Sequence, residues 1–288
     1  MPSKSHRVVN IQEAYRSDFL ELAPKNLSIS DQIDILNGDA NFMTSFARGL
    51  AVMQAFSSRK RLVTISQLSL KTGFSRAAVR RCVYTLAKLG YVGTDDNHLF
   101  YVLPRFLSLG FSGANSMPLA SAALPVLERV SHRSPESCWI GALDGDETIC
   151  QAHSNATRLN SVEVHVGGRL SAFSTSVGRV LLANLPPEKQ EYQIARTNFR
   201  PRKTFTSYSP TKIRQILHLT KEVGYSIVNQ ELETGVWAAA VPIHNPLGNV
   251  VAGLCIATLS QGETSENMLR RFLPRLRRGS RELGMLLR

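Results

Sequence analysis

Nowhere in the 288 residues is there an uncharged apolar run long enough to span a membrane, and no secretory leader opens the chain. Its cysteines, Cys82, Cys138, Cys150 and Cys255, make no close pair and fall into no Cys/His cluster of zinc spacing, which argues against a disulfide scaffold and a structural zinc site together. A reduced cytoplasmic protein is expected. Catalytic signatures are equally scarce: there is no Gly-rich phosphate loop of known spacing, no HExxH, and no serine in a nucleophile elbow. His153 and His165 lie on separate predicted strands with no third ligand to join them, so no metal and no cofactor is expected. Asp144 and Asp146 flank Gly145, a pattern that suits a turn better than a catalytic carboxylate pair. The chain is not expected to be an enzyme.

Acidic residues are also few, 22 against 34 Lys and Arg, for a formal net charge of +12. The excess is uneven. Residues 41–103 carry nine bases and two acids, whereas residues 1–40 carry four bases and six acids. Such a local field favours phosphate contact and fast, salt-dependent association without selecting a sequence. A chain of this size with 43% apolar residues can bury more than one small core, and two domains are expected.

The basic region has a definite pattern. Thr64 to Lys71 sets Ile65 and Leu68 on one helical face, Gly73 supplies a break, and a second helix starts at Ser75, whose hydroxyl can cap it. Val79, Val83, Leu86 and Leu89 commit one side of that helix to packing. Arg76, Arg80, Arg81 and Tyr84 fall on the other side, where a recognition helix reaches base edges and phosphates. A solvated packing helix is the plain alternative, since basic helical faces are common on protein surfaces. Upstream, Phe46, Leu50, Met53 and Phe56 predict a third helix. Downstream, Tyr91 to Thr94, a turn at Asp95-Asp96-Asn97 and Leu99 to Leu103 predict a hairpin, and hence a wing.

The remainder alternates strand and helix. Residues 1–41 read as a flexible extension with a short helix around Ile11 to Leu22, residues 42–103 as a winged helix-turn-helix domain, 104–118 as a linker with the start of a connecting helix, and 119–288 as a second, mixed domain. In the last, Leu119 to His132 is a helix, Ser137 to Leu143 and Glu147 to Ala152 a hairpin, and Ser161 to Val166 a strand. Ser171 to Leu185 is a loop feeding a helix N-terminus that either holds a carboxylate or is merely capped by Ser174, Thr175 and Ser176. Ser209 to Val223 is a helix closed by Gly224. Trp237 to Ile243 and Val250 to Thr258 form the longest apolar strand pair, and Ser265 to Leu287 is a basic amphipathic helix bent or interrupted at Pro274 that covers the sheet.

Four stretches, SFARGLAVMQAF (45–56), ISQLSLKTGFSRAAVRRCVYTLAKLGYV (65–92), VGGRLSAFSTSVGRVLLANLPP (166–187) and GYSIVNQELETGVWAAAVPIHNPLGNVVAGLCIA (224–257), occur in an order and spacing that resembles the IclR family of bacterial transcription regulators. Within it the chain is most similar to the branch that controls catabolism of aromatic acids such as protocatechuate and 4-hydroxybenzoate. The resemblance covers residues 42–288. It implies a two-domain α/β (α+β) chain: an N-terminal winged helix-turn-helix that binds a partly palindromic operator in double-stranded DNA as a dimer, a linker helix, and a C-terminal GAF-like mixed antiparallel sheet with flanking helices that binds a small carboxylic acid and assembles tetramers. Carried over by motif, the DNA-binding positions are Ser75, Arg76, Arg80, Arg81 and Tyr84, and the effector positions Ser176, Val177, Val228, Ala238, Cys255 and Ala257. Two positions depart from the family pattern: Val228 stands where an acidic residue is usual, leaving a more apolar pocket, and Ala239 replaces a larger aliphatic.

The function implied is a ligand-responsive transcriptional regulator of catabolic genes, cytoplasmic and associated with the nucleoid, working as a homodimer or homotetramer. RNA polymerase becomes a partner if the chain is an activator. Two alternatives stay open: an architectural DNA-binding protein indifferent to ligands, and a small-molecule enzyme. A thermal shift with candidate acids separates the first, and turnover the second.

Overall fold

The computed structural model describes residues 28–56, 62–109, 118–131, 136–154, 164–197, 199, 208–260 and 262–287, which fall into two compact units, 28–109 and 118–287. Among them no helix is long and apolar enough to cross a membrane.

The first unit runs α1 (Ile29–Asp34), α2 (Thr44–Ala55), α3 (Ile65–Thr72) and α4 (Arg76–Lys88), then a hairpin of β1 (Val92–Thr94) and β2 (Phe100–Val102). Val52, Leu68, Val79, Val83 and Val92 meet in its core. α3 opens with a reciprocal cap. The Thr64 hydroxyl accepts from the Gln67 amide and the Gln67 side chain accepts from the Thr64 amide, each at 3.1 Å. It closes at Gly73, at φ 79°, where a Cβ would also sit 2.7 Å from the Ser28 hydroxyl, so both backbone conformation and close approach require glycine. The hairpin pairs Val92 with Val102, and Val63 bridges Phe100, tying the segment before α3 to the wing.

Three expectations for this unit need correction. Residues 28–41 belong to it rather than to a flexible extension: Ser28 caps α1 through a capping box with Asp31, and Ile33 is buried in the core. Ile29 and Ile33 lie one turn apart and pack on this core, but a helix of six residues is too short to give a periodic signal. The helix expected at Ile11 to Leu22 lies outside the described residues. On α2, Phe46 and Leu50 were expected inside but are 63% and 43% exposed, while Ala51, Val52 and Ala55 face the core. α2 is apolar nearly all round, so two stripes fit its spacing, and the one with smaller side chains allows the closer approach to its neighbours. Leu89 is exposed because it lies at the C-cap of α4, past the last helical residue. Of the linker 104–118, residues 106–109 form a helical turn and 110–117 lie outside the described residues.

The second unit is built on a six-stranded antiparallel sheet, in the order β5-β4-β3-β8-β7-β6. The strands are β3 (Ser137–Asp144), β4 (Glu147–His153), β5 (Arg169–Ser171), β6 (Ser226–Asn229), β7 (Val236–His244) and β8 (Val250–Leu259). The helices are α5 (Pro118–Ser131), α6 (Ser176–Ala183), α7 (Pro187–Arg196), α8 (Pro210–Val223) and α9 (Ser265–Met285). Strand alternation sorts the side chains. Cys138, Ile140, Trp237, Ala239, Leu254 and Ile256 face α5 and α9 in one core, and Trp139, Ala240 and Cys255 face α6 on the other side. Beyond α6, Leu182, Ile194, Ile213 and Leu217 make a further apolar layer with α7 and α8. The helix α6 is therefore buried along its whole length.

The strand expected at Ser161 to Val166 is not found: 161–163 lie outside the described residues, and 164–166 run as loop into a turn at Gly167 before β5. α9 is continuous through Pro274, whose ring points to solvent, so the carbonyl left without its amide partner is on the exposed face. Gly145, at φ 63°, sits in the turn between β3 and β4, and Asp144 binds Arg169 at 2.6 Å, in keeping with turn-forming rather than catalytic acids.

Candidate DNA-binding face and effector cavity

α4 owes its orientation to its buried stripe of Val79, Val83 and Leu86, which turns Arg76, Arg80, Arg81 and Tyr84 outward. Arg76, Arg80, Tyr84 and Lys88 are four residues apart, so they form one surface ridge, and Lys88 Nζ stacks over the Tyr84 ring at 5.4 Å. Ser75 stands at the N-cap, where its hydroxyl accepts from the Ala78 amide at 3.2 Å and keeps its proton to donate outward. The cations of this unit divide into two kinds. Arg48 pairs with Asp34 and lies over Phe74, Lys71 donates to the Ala55 carbonyl at 2.8 Å, and Arg105 donates to the Leu89 carbonyl and lies over Tyr91. Among the described residues no such partner engages Arg76, Arg80 or Arg81. At the wing tip the Asp95 carboxylate is occupied by the amides of Asn97 and Leu99, which leaves Asp96 as an exposed acid.

In the second unit the sheet itself makes a cavity floor. Ser137 lies opposite Ala257, Ala257 opposite Ala238, and Ala238 opposite Val228, so one row crosses β3, β8, β7 and β6 in register. Two adjacent alanines in that row leave a depression. The next row places Trp139 beside Cys255, and the Trp ring closes one side. The N-terminal end of α6 with Ser174, Thr175 and Ser176 forms the roof, and Leu232 and Val236 form the rim, around about 50 Å³ of free space. That space is well below the usual volume of a small-molecule site, so a ligand must spread the lining to enter.

Thr175 caps α6, accepting from the Gly178 amide at 3.1 Å, and its own proton goes to the Ser171 carbonyl at 3.0 Å. That hydroxyl is thus spent on structure. The first two amides of the helix, of Ser176 and Val177, have no partner within it, and the positive end of the helix lies at the cavity. The Ser176 hydroxyl lies 3.5 Å from the Cys255 sulfur. Burial pushes the Cys255 thiol up to about 12, so it stays neutral and sets no negative charge against an anion. Among the described residues no charged side chain lines the cavity. The site suits a flat apolar body with one acidic group, held by amides and a hydroxyl rather than by a counter-ion.

Of the six expected effector positions, Ser176, Val228, Ala238, Cys255 and Ala257 line this one cavity. Val177 does not: it is fully buried and packs towards Gly141 and Gly253, supporting the sheet below the site. Ala239 faces the opposite core, so its departure from the family pattern has no bearing on the cavity. Ser137, Trp139, Val164, Leu170, Leu232 and Val236 went unnoticed in the sequence. Strand alternation would have offered Ser137 and Trp139 as partners of Ala257 and Cys255, had the register been known. No group of three or more metal-ligating side chains occurs among the described residues.

Comparison with known proteins returns two family profiles, the IclR helix-turn-helix domain over residues 45–96 and the bacterial transcriptional regulator IclR C-terminal domain over residues 111–285. The Pca regulon regulatory protein of Pseudomonas putida is 40% identical over 276 residues, 96% of this chain and 94% of its own. A crystal structure of a transcriptional regulator from Rhodococcus sp. RHA1 superposes with a TM-score of 0.72 at 32% identity, covering 85% of this chain and 98% of that one. The inducer-binding domain of the PobR transcription factor from Acinetobacter, in a double mutant complexed with 3-hydroxybenzoic acid, matches with a TM-score of 0.53 at 27% identity, over 57% of this chain and 97% of that one.

Proposed function

We propose that this chain, which belongs to the IclR family of bacterial transcriptional regulators and is a ligand-responsive regulator of catabolic genes, senses an aromatic carboxylic acid in the Ser176 cavity and reads its operator with the exposed ridge of α4. The observation that carries the ligand half is the in-register row Ser137, Ala257, Ala238, Val228 under a helix N-terminus: an apolar slot with anion-seeking amides at one end and, among the described residues, no charged side chain in its lining. A ring lies on the floor once the lining spreads to admit it, and its carboxylate meets the Ser176 amide and hydroxyl. Val228 keeps that floor apolar. The relatives named for the Pca regulon and for binding 3-hydroxybenzoic acid support the aromatic class.

The DNA half rests on Arg76, Arg80 and Arg81, with Tyr84 and Ser75 at the flanks contacting phosphate or sugar. The second unit is read as a GAF-like domain. Met43, Phe46 and Leu50, exposed along α2 and just before it, provide an apolar patch that a second copy of the chain covers in a dimer on a palindromic operator. The work of such a dimer places it in the cytoplasm, at the nucleoid. Effector and DNA communicate by linkage. An acid that binds one arrangement of the protein better than another shifts the population, and a 100-fold change in DNA affinity corresponds to about 2.7 kcal/mol of coupling.

The test is operator binding by purified protein at fixed salt, titrated with protocatechuate, 4-hydroxybenzoate, 3-hydroxybenzoate and a non-aromatic dicarboxylic acid. An aromatic acid is expected to change affinity or footprint where the dicarboxylic acid does not. Sequence-specific binding indifferent to every acid would remove the aromatic-effector reading.

A further inference from the structure

The Arg179 side chain is 2% exposed and does not line the cavity, yet it touches three of the chain segments that do. From the middle of α6 its guanidinium donates Nε to the Phe173 carbonyl at 2.9 Å, beside the Ser174 to Ser176 roof. Nη1 reaches the Ile227 carbonyl at 3.4 Å, next to Val228 of the floor. Both terminal nitrogens then engage the Glu231 carboxylate, at 3.1 and 2.5 Å, and Tyr208 stacks against the same group at 5.0 Å.

Glu231 belongs to the short segment between β6 and β7. Gln230 at its start has φ 58°, unusual for a residue with a side chain, and Gly235 at its end has φ 79°. Between them Leu232 lines the rim of the cavity. Gln230 also accepts from the Gly235 amide at 3.0 Å, which closes the segment into a compact loop. A planar guanidinium suits a bidentate clasp that a lysine cannot reproduce, because its two parallel N–H bonds fix the orientation of the carboxylate as well as its distance.

We infer that residues 230–235 are the lid of the effector cavity, that Leu232 is its ligand-contacting residue, and that Arg179 and Glu231 are positioning residues whose ion pair latches the lid shut. This rests on the cavity being the effector site. The latch holds the lid closed over an empty cavity and over a filled one alike, so it controls how quickly effector enters and leaves rather than how tightly it is held.

Binding to the full chain is followed by stopped-flow fluorescence through Trp139, which lines the cavity, with 4-hydroxybenzoate and 3-hydroxybenzoate as probes. Trp237 faces the other side of the sheet and gives a constant background. Glu231→Gln keeps the side chain's size and removes its charge. It is expected to speed association and release together, each about tenfold, the equivalent of ~1.4 kcal/mol, with the equilibrium constant moving less than about threefold. Unchanged rates in the folded variant, or weaker binding carried by release alone, overturn the latch. Because removing one partner of a buried pair can unfold a chain, Arg179→Met/Glu231→Met, with apolar side chains in both places, carries the same expectation. If wild-type protein gives no signal with either acid, the effector reading falls, and hydrogen exchange still decides the lid. Amides of 231–235 are expected to exchange about tenfold faster in the variants while those of β7 and β8 keep their rates. Equal exchange at 231–235 overturns the proposal.

Discussion

The two helices that matter most here begin alike and end in opposite circumstances. Both α4 and α6 start from a hydroxyl that accepts an amide three residues on, Ser75 from Ala78 and Thr175 from Gly178, and both carry arginine within their first two turns. On α4 one face is buried and the arginines stand in solvent without protein partners among the described residues. α6 is buried all round, and Arg179 is enclosed by carbonyls, a carboxylate and a ring. The lesson is that an arginine's role follows from what surrounds its helix. An exposed guanidinium is available to a second molecule, whereas a buried one must be satisfied within the chain and so organises the chain around it.

The largest test of this contrast is stability. Arg179→Ala leaves the Glu231 carboxylate and two carbonyls without their donor and is expected to cost about 3–5 kcal/mol in urea unfolding, whereas Arg80→Ala stays within about 0.5 kcal/mol. Equal costs would break the comparison. Next comes DNA affinity: Arg80→Ala is expected to weaken operator binding by about 1–3 kcal/mol if it reads a base, and Arg81→Ala to lower the salt slope by about 0.9 if it meets a phosphate. Both variants should keep effector binding, and undiminished DNA affinity in both would remove α4 from the interface.

A bulky group at the roof sharpens the α6 side. Ser176→Phe fills the slot and is expected to abolish the response to aromatic acids while operator binding persists, read by the same titration; a normal response would take Ser176 out of the site. Smaller still are the caps. Thr175→Ala and Ser75→Ala each remove one amide acceptor, worth ~1 kcal/mol of stability, and the Thr175 change should exceed the Ser75 change because water cannot replace the lost partner inside the second unit. At the lower limit, Asp96→Lys at the wing tip should raise the salt slope of DNA binding by at most about 0.9, one added phosphate contact.

Much of this is legible in the sequence. The turn at Gly73, the cap at Ser75 and the buried stripe Val79, Val83, Leu86 are local facts, set by spacing and backbone preference, and they put Arg76, Arg80 and Arg81 on the outer face. Phase was harder where a helix is apolar on more than one side, and α2 shows it: Phe46 and Leu50 follow the expected spacing but lie outside, because Ala51, Val52 and Ala55 allow closer packing. The cavity was legible only in part. Ser176, Cys255 and Ala257 follow from motif, but Ser137 and Trp139 join them through cross-strand register between segments more than a hundred residues apart. Arg179 with Glu231 gave no signal at all, since a pairing across 52 residues has no local spacing to reveal it.

The sequence by itself determined the helices around the Gly73 turn, the long strand pair, where hydroxyls and glycines start and stop them, and which face of α4 is charged, because each of these depends on neighbours within a few residues. The tertiary structure alone decided which two alanines lie side by side to make a slot, that Val177 supports the floor while Ser176 looks into the site, and that Arg179 serves the protein rather than a partner. Those outcomes depend on strand register and on burial, which exist only once distant segments have excluded water from one another.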